Sequence, residues 1–267
     1  MPLTFELRRQ SPISTIESLL HDLAELRTAG DVHKFWFRGH PLAALPIVPT
    51  IARPWRFAGR EKEFSPVEER ALLHRFRRRA FPHDPGVRRA GYALFLARHY
   101  GLPTRLLDWS ANALFALYFA CSDHFDRAGE LYAFRQRGDG DVLDAFALVE
   151  LQTEHELFDS VPAGAVKIVH PVFNSPRLIA QEGCFTWHSP PWRPLEQLAG
   201  VPFEDGRLDV DVLFHWPIEA RAKPVLLRQL SDIGVNQRVT FPDLDGIARS
   251  IWETEVLWHG RTIEPHE

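Results

Sequence analysis

Residues 98–121 read RHYGLPTRLLDWSANALFALYFAC, and this stretch decides the fold. Its second part, Ala111–Cys121, is almost wholly apolar and predicts a helix that the rest of the chain buries. Ser110 is a good helix cap, so we expect the helix to begin there. A preceding helix is predicted over Val87–Tyr100, because Gly101 stands where helices end. RHYGLPTRLLDWS is therefore predicted to be a tight connection between two helices.

Towards the N-terminus the sequence predicts two capped helices and a strand. Ser14–Glu17 is a capping box that opens an amphipathic helix. Ser65–Glu68 is a second capping box, and its helix should run to about Arg79. Between them, Lys34–Arg38 is short and rich in aromatic residues, which is typical of a buried strand.

Towards the C-terminus the pattern changes to strands. Period-two and apolar runs predict strands at Glu130–Arg135, Val166–His170, Cys184–His188, Val210–Trp216 and, at the end, Glu255–Trp258. We also expect a helical turn from Ser175-Pro176 to Gly183, and helices at Pro224–Ile233 and Leu244–Trp252. No linker or repeat divides the chain. The prediction is one α+β domain over residues 1–267, with a helical N-terminal half packed on a strand-rich C-terminal half.

The composition favours a globular protein inside the cell. The chain has 267 residues, of which 45% are apolar, enough for a large core. No apolar run reaches the ~18–20 residues of a membrane span, so no membrane partner is expected. The first residues contain no apolar signal core, and Cys121 and Cys184 are too few for a disulfide framework. We therefore expect a cytoplasmic location.

The charge distribution leaves two alternatives open. Net charge is −4, yet nine arginines between Arg70 and Arg105 are opposed there only by Asp84. Acidic residues then dominate from Asp139 to Asp159. The two segments either pair with each other inside the fold or leave a basic cleft for an anionic ligand.

Three stretches contain candidate site residues. In RHYGLPTRLLDWS, Arg105 and Asp108 either form a structural ion pair or make an arginine fork for phosphate, oriented by the aspartate. His99 is either a core histidine or an acid, base or ligand, and Tyr100 and Thr104 lie beside it.

The other two stretches surround predicted strands. Arg38 ends the first strand, where it either covers the sheet edge or meets a ligand, and Gly39 would let that ligand approach the backbone. Gln181-Glu182-Gly183 leads into a later strand and either faces solvent or points into a cleft.

Standard nucleotide, hydrolase and metal motifs are absent. The sequence contains no GxxxxGK[ST], GxGxxG or GxSxG. HExxH is missing too, and the histidines lack metal-ligand spacing, so no metal site is expected.

Several of these residues together resemble the FRG domain family, named for a Phe-Arg-Gly signature. The signature is Phe37-Arg38-Gly39, and the longest similar motif is HYGLPTRLLDWSANALFALYFA at 99–120. Further similar motifs are Gln181–Thr186, Leu230–Gly234 and Phe241–Gly246, so the resemblance extends over about residues 15–250. The chain departs from the family pattern at Arg98, where glutamine is frequent, and at Ala113, where proline is.

The resemblance implies a bacterial, phage-associated protein and an order of motifs similar to ADP-ribosyltransferases. Arg38-Gly39, Tyr118-Phe119-Ala120 and Gln181-Glu182 follow that order. The implied function is a nucleotide- or NAD-utilising enzyme, such as a toxin or phage-defence effector, with NAD as a substrate. The expected catalytic residues are Arg38, His99, Asp108, Gln181 and Glu182, and the expected ligand-binding residues are Gly39, Tyr100, Thr104 and Arg105.

The alternative is a binding module for an anionic ligand or nucleic acid, without chemistry. A nuclease, or a role in protein interaction, is also open, and the acceptor of any transferred group is a protein or a nucleic acid. The module would use the Arg70–Arg105 segment. We also predict that Arg38, His99, Thr104, Arg105, Asp108 and Gln181 converge in one concave site, the alternative being that each supports its local fold.

Overall fold

The protein is built on a seven-stranded sheet. The computed structural model describes residues 5–27, 34–136, 142–170, 180–198 and 210–260. The strands are β1 Glu6–Arg9, β2 Phe35–His40, β5 Leu106–Ser110, β6 Gly129–Gln136, β7 Ala165–Val169, β8 Gly183–Ser189 and β9 Val210–Ile218, in the order β1-β9-β6-β2-β5-β8-β7. A separate hairpin joins β3 Trp55–Phe57 to β4 Arg60–Lys62. β1 runs parallel to β9, and the other pairs in the sheet are antiparallel.

Helices connect these strands along the described chain. They are α1 Ile16–Leu26, α2 Pro66–Ala80, α3 Ala90–His99, α4 Ala113–Cys121, α5 Ala145–Glu150, α6 Glu154–Asp159, α7 Lys223–Asp232, α8 Gln237–Thr240 and α9 Leu244–Thr254. The mixture of helices with a mainly antiparallel sheet confirms the α+β class.

The sheet is weakly joined in its middle. β2 pairs with β6 from Phe35 to His40, but with β5 only where Phe37 lies opposite Ser110. On its other side, β5 pairs with β8 along its whole length. The sheet therefore consists of two well-paired parts that diverge between β2 and β5.

Helices and loops bury both faces of the sheet. Phe35, Leu131 and Phe214 pack in one cluster with α1, α4 and α7, while the alternate residues Trp36 and Leu213 pack in another. This alternation places the two clusters on opposite faces. A third cluster joins β5, β7 and β8 to α2, α3, α5 and α6.

α4 is buried as its composition predicts, and it packs very closely on β2. A Cβ added to Gly39 would lie 2.0 Å from the carbonyl oxygen of Ala116 and 2.5 Å from the nitrogen of Ala120. The glycine is therefore needed for helix packing. This packing role was not part of the sequence prediction, in which Gly39 lets a ligand approach the backbone.

Several element boundaries differ from the sequence prediction. The connection RHYGLPTRLLDWS contains the central strand β5. This strand was not predicted, because Asp108 in its middle interrupts the apolar pattern. α4 begins at Ala113, and Asn112 caps it instead of Ser110, its Oδ1 accepting from the Leu114 N–H at 2.9 Å. Similarly, Thr15 rather than Ser14 caps α1. The predicted helix at 87–100 is a 3₁₀ turn, Pro85–Arg88, followed by α3.

Three predictions about the organisation of the chain also change. Glu255–His259 continues α9 as a π-helix instead of forming a strand. Gly183, predicted to close a helical turn, is the first residue of β8; of the turn predicted from Ser175-Pro176 the described residues include a helical Ala180, and its start lies outside them. Helices and strands are not divided between the two halves of the chain. Strands β1, β2 and β5 lie in the N-terminal half, and helices α5 to α9 lie in the C-terminal half. Within the described part of the chain, no helix is long and apolar enough to cross a membrane.

Candidate functional site

A cavity of about 720 Å³ lies where β2 and β5 diverge. Its volume is in the range of small-molecule sites, ~300–1,000 Å³. Its wall contains the aromatic residues Phe37, Phe95, Tyr100, Trp109, Phe119, Phe185 and Phe241. Charged residues also line it, namely Arg38, Arg98, Asp108, Asp123 and Arg249. The cavity thus combines aromatic surface with positive charge.

Arg38 bridges the two parts of the sheet. Its Nε donates to His40 Nε2 at 2.9 Å, and its Nη1 donates to the backbone carbonyl of Asp108 at 2.7 Å. Burial and the charge of Arg53 lower the pKa of Arg38 to about 9, so the guanidinium is still charged at neutral pH. Burial and Arg38 also lower the pKa of His40, which leaves this histidine neutral and able to accept.

Asp108 faces several guanidinium groups. Arg98 binds both carboxylate oxygens, with Nε 3.2 Å from Oδ1, and Arg38 Nη1 lies 3.9 Å from Oδ2. Burial opposes the charge of Asp108, but Arg98 and Arg38 outweigh it and lower the pKa of the carboxyl group. Arg53 is coupled to the same group, because burial and then the charge of Arg98 lower its pKa. The cluster Arg38, Arg53, Arg98 and Asp108 carries more positive than negative charge.

His99 and Tyr100 end α3 at the cavity. Both are exposed, and their rings meet edge to face with centroids 5.0 Å apart. This excludes the alternative in which His99 is a core residue. The sequence did not indicate this exposure, because His99 lies on the same helical face as Tyr92 and Leu96, which are residues typical of a buried face.

Gln181 lines the cavity, but Glu182 does not. The Gln181 side chain donates from Nε2 to the carbonyl of Thr240 at 3.0 Å. The Glu182 side chain is exposed outside the described cavity wall, on a residue with φ +46°. Its backbone carbonyl accepts from the Ala111 N–H at 3.0 Å. The structure therefore separates these two neighbouring residues.

Arg105 and Thr104 also lie away from the described cavity wall, which corrects the expected convergence. Arg105 is buried and donates to the Glu69 carboxylate at 3.0 and 2.6 Å. The guanidinium packs 4.2 Å from the Phe158 ring centre. Thr104 is buried and hydrogen-bonded through its backbone to Thr50. The cavity brings together only Arg38, Gly39, His99, Tyr100, Asp108 and Gln181 among the expected site residues.

Much of the basic segment is paired internally. Arg70, Arg77 and Arg89 bind acidic residues of the 139–159 segment, and Arg98 and Arg105 bind Asp108 and Glu69. Pairing between the two segments is therefore confirmed for Arg70, Arg77 and Arg89, whereas Arg98 and Arg105 pair with residues outside the acidic segment. Arg98 is the one of the five that also lines the cavity.

Sequence reasoning missed the C-terminal wall of the cavity. Gln237, Phe241 and Arg249 come from α8, the residue after it, and α9. Only the Phe241–Gly246 motif marked this region in advance, and it indicated no role. The described residues contain no group of three or more His, Cys, Asp or Glu side chains that could hold a metal ion.

The fold and this cavity define an α+β protein with a basic, aromatic-walled cavity at a divergence in its sheet. The family model of the FRG domain matches residues 33–128, so this part of the chain is an FRG domain. The match begins just before β2, ends just before β6 and contains the whole cluster Arg38, Arg53, Arg98 and Asp108. Beyond it, the resemblance to residue 250 stays a prediction. Comparison with curated proteins and with solved structures gives no match.

Proposed function

We propose that the protein binds a nucleotide in this cavity and uses NAD as a substrate, cleaving its nicotinamide–ribose bond. The observation that carries this proposal is that Arg38, Arg98 and Asp108 of this cluster line an aromatic-walled cavity. Phosphates and a flat base are two of the three chemical parts of a nucleotide, and arginine and aromatic side chains bind them respectively.

Arg38 is the main phosphate ligand in this proposal. A guanidinium has five N–H donors, and the bonds to His40 and Asp108 use the Nε hydrogen and one on Nη1. The Nη2 edge is therefore available to a phosphate. Because both other edges are held, little side-chain entropy is lost when a ligand binds.

The wall near Phe119 supplies a surface for a ring. Phe119 and Phe241 meet edge to face, with centroids 5.7 Å apart, and both line the cavity. Tyr118 is instead buried beneath it, so Phe119 alone of this pair is proposed to contact a base.

Bond cleavage requires groups near the ribose. We propose that His99 contacts its hydroxyl groups, and that Asp108 orients the arginines rather than touching the ribose. Glu182 is not retained for this role because it lies outside the cavity wall.

A non-catalytic anion-binding module is the second candidate. It is favoured by one observation, that Arg98 already neutralises Asp108, the carboxylate closest to Arg38. If NAD is consumed instead, cytoplasmic depletion of NAD would suit a bacterial toxin or phage-defence effector, with water, a protein or a nucleic acid as acceptor.

Two measurements on the purified chain decide between these functions. Nicotinamide release from NAD is quantified by chromatography, and ADP-ribose binding is measured by calorimetry. Release together with binding supports the enzyme, whereas binding without release supports the module. Absence of both contradicts the proposed function.

A further inference from the structure

Two glutamine side chains lie at the same part of the cavity wall. Gln237 is the first residue of α8, and the Gln181 amide is held against Thr240, the last residue of the same short helix. Both residues line the cavity, and both lie outside the FRG match.

The amide of Gln181 has a fixed orientation. A backbone carbonyl can only accept, so the Gln181 NH₂ group faces Thr240, at 3.0 Å. Its side-chain oxygen consequently points away from Thr240. Gln181 thus offers a hydrogen-bond acceptor.

The amide of Gln237 is held through its oxygen, whereas that of Gln181 is held through its NH₂ group. The Tyr118 hydroxyl donates to Gln237 Oε1, from a tyrosine that is buried in α4. The Glu253 carboxylate is the more distant partner of that hydroxyl, at 3.3 Å. Because its oxygen is engaged, Gln237 offers its NH₂ group as a donor.

An aromatic surface adjoins this donor and acceptor. Phe241 directly follows α8, and its ring stands at 88° to that of Phe119. Phe119 and Phe241 line the same cavity as the two amides, which provides both a stacking surface and hydrogen-bonding groups for a flat ring. The α8 subsite is defined here as Gln181, Gln237, Phe119 and Phe241.

We propose that the α8 subsite holds a flat heteroaromatic ring whose edge carries one acceptor and one donor side by side. The carboxamide of nicotinamide has this chemistry, and so does the amino edge of adenine. This proposal rests on the proposed function, and it assigns ring recognition to the segment outside the FRG match.

The test is a competition experiment against a fluorescent ADP-ribose probe, read within seconds of mixing. The competitors are NAD, its nicotinic acid analogue and its hypoxanthine analogue. Each analogue replaces the amino donor of one ring by an oxygen, so it leaves the Gln181 oxygen without a donor. Wild-type protein should bind NAD at least about tenfold more tightly than one of the analogues, the cost of a lost buried hydrogen bond.

The variants are Gln181→Ala and Gln237→Ala, with Gln152→Ala, an exposed glutamine outside the described cavity wall, as control. Both cavity variants should lose the discrimination, and circular dichroism should show that they fold. Their probe binding should stay unchanged if wild type rejects the nicotinic acid analogue, because the probe has no nicotinamide, and should weaken if wild type rejects the hypoxanthine analogue, because the probe carries adenine. The control variant Gln152→Ala should keep the discrimination between NAD and its analogue. Probe binding without discrimination in wild-type protein overturns the α8 subsite alone, and absence of probe binding overturns the proposed function with it.

Discussion

Individual side chains at this site are fixed by partners that lie far away in the sequence. Arg38 meets Asp108 across the divergence between β2 and β5, and Arg105 meets Glu69 on α2. The three-residue spacing of Arg105 and Asp108 suggested a pair, but their side chains have different partners. The candidate role of Arg38 could be predicted from its strand and glycine, whereas the ion-pair partners could not, since the sequence does not state which strands become neighbours.

Arg38→Lys should weaken ADP-ribose binding by ~1–3 kcal/mol, the scale of a lost charged hydrogen bond. Lysine keeps the charge but has no planar fork to satisfy His40, Asp108 and a phosphate together. Calorimetry measures the affinity at a temperature where a thermal melt shows the variant to be folded, since the loss of a bond to His40 or Asp108 also lowers the melting temperature. Arg221→Lys is the control, because Arg221 is 86% exposed. Equal affinities for Arg38→Lys and wild type would remove Arg38 from the site.

Asp108→Asn should alter the dependence of stability on pH. Because the pKa of Asp108 is lower in the folded protein than its ordinary value of 3.8, its ionised form stabilises the fold. That contribution is present above the ordinary pKa and is lost as the pH falls through the lowered value. Between about pH 5 and pH 3, the melting temperature of wild type should therefore fall further than that of Asp108→Asn. Parallel curves would contradict the ion-pair assignment.

Among the helices and strands, the sequence predicted best those helices whose capping residues and apolar pattern lie within their own segment. α2 begins at its predicted capping box, and α4 is buried as its apolar sequence indicates. β5 was not predicted, because a five-residue strand with a central aspartate has too short a pattern. The exposed β1 and the β3–β4 hairpin also carry no apolar alternation, since their residues are exposed.

Gly39→Ala should destabilise the protein by more than ~3 kcal/mol, because overpacking here meets backbone rather than a flexible side chain. α4 would have to move away from β2. Gly101→Ala is the control, since no neighbour lies within 4 Å and only its φ of +80° is unfavourable, at a cost of ~1–2 kcal/mol. Urea unfolding of both variants measures the difference, and equal losses would argue against the close packing of α4 on β2.

Glu69→Gln should destabilise the protein by ~3–5 kcal/mol, because it leaves the buried Arg105 without its counter-charge. The exposed pair of Glu61 with Arg56 provides the control, where Glu61→Gln should cost less than ~1 kcal/mol. Chemical unfolding gives both values. The folded Glu69→Gln protein should bind ADP-ribose as wild type does, and a large loss of affinity would return Arg105 to the ligand site.

At the scale of the whole molecule, the cavity joins two parts of the chain. The FRG match supplies the arginine cluster, while Gln181, Gln237, Phe241 and Arg249 complete the wall from later segments. The α+β class followed from helical patterns in the N-terminal part of the sequence and strand patterns in the C-terminal part. The order of strands did not, because it depends on pairings over long distances. The one-domain organisation stays a prediction.

The central claim is that the arginine cluster binds the phosphates of a nucleotide. Its most direct test is calorimetric titration of wild type and Arg38→Ala with ADP-ribose at low and at high salt. We expect wild type to bind and the affinity to fall as salt screens the cluster. Arg38→Ala should bind at least about tenfold more weakly at a temperature where the variant is folded, and its melting temperature should fall because the bonds to His40 and Asp108 are lost. Binding that is indifferent to both salt and Arg38, or no binding by the wild type, would contradict the claim.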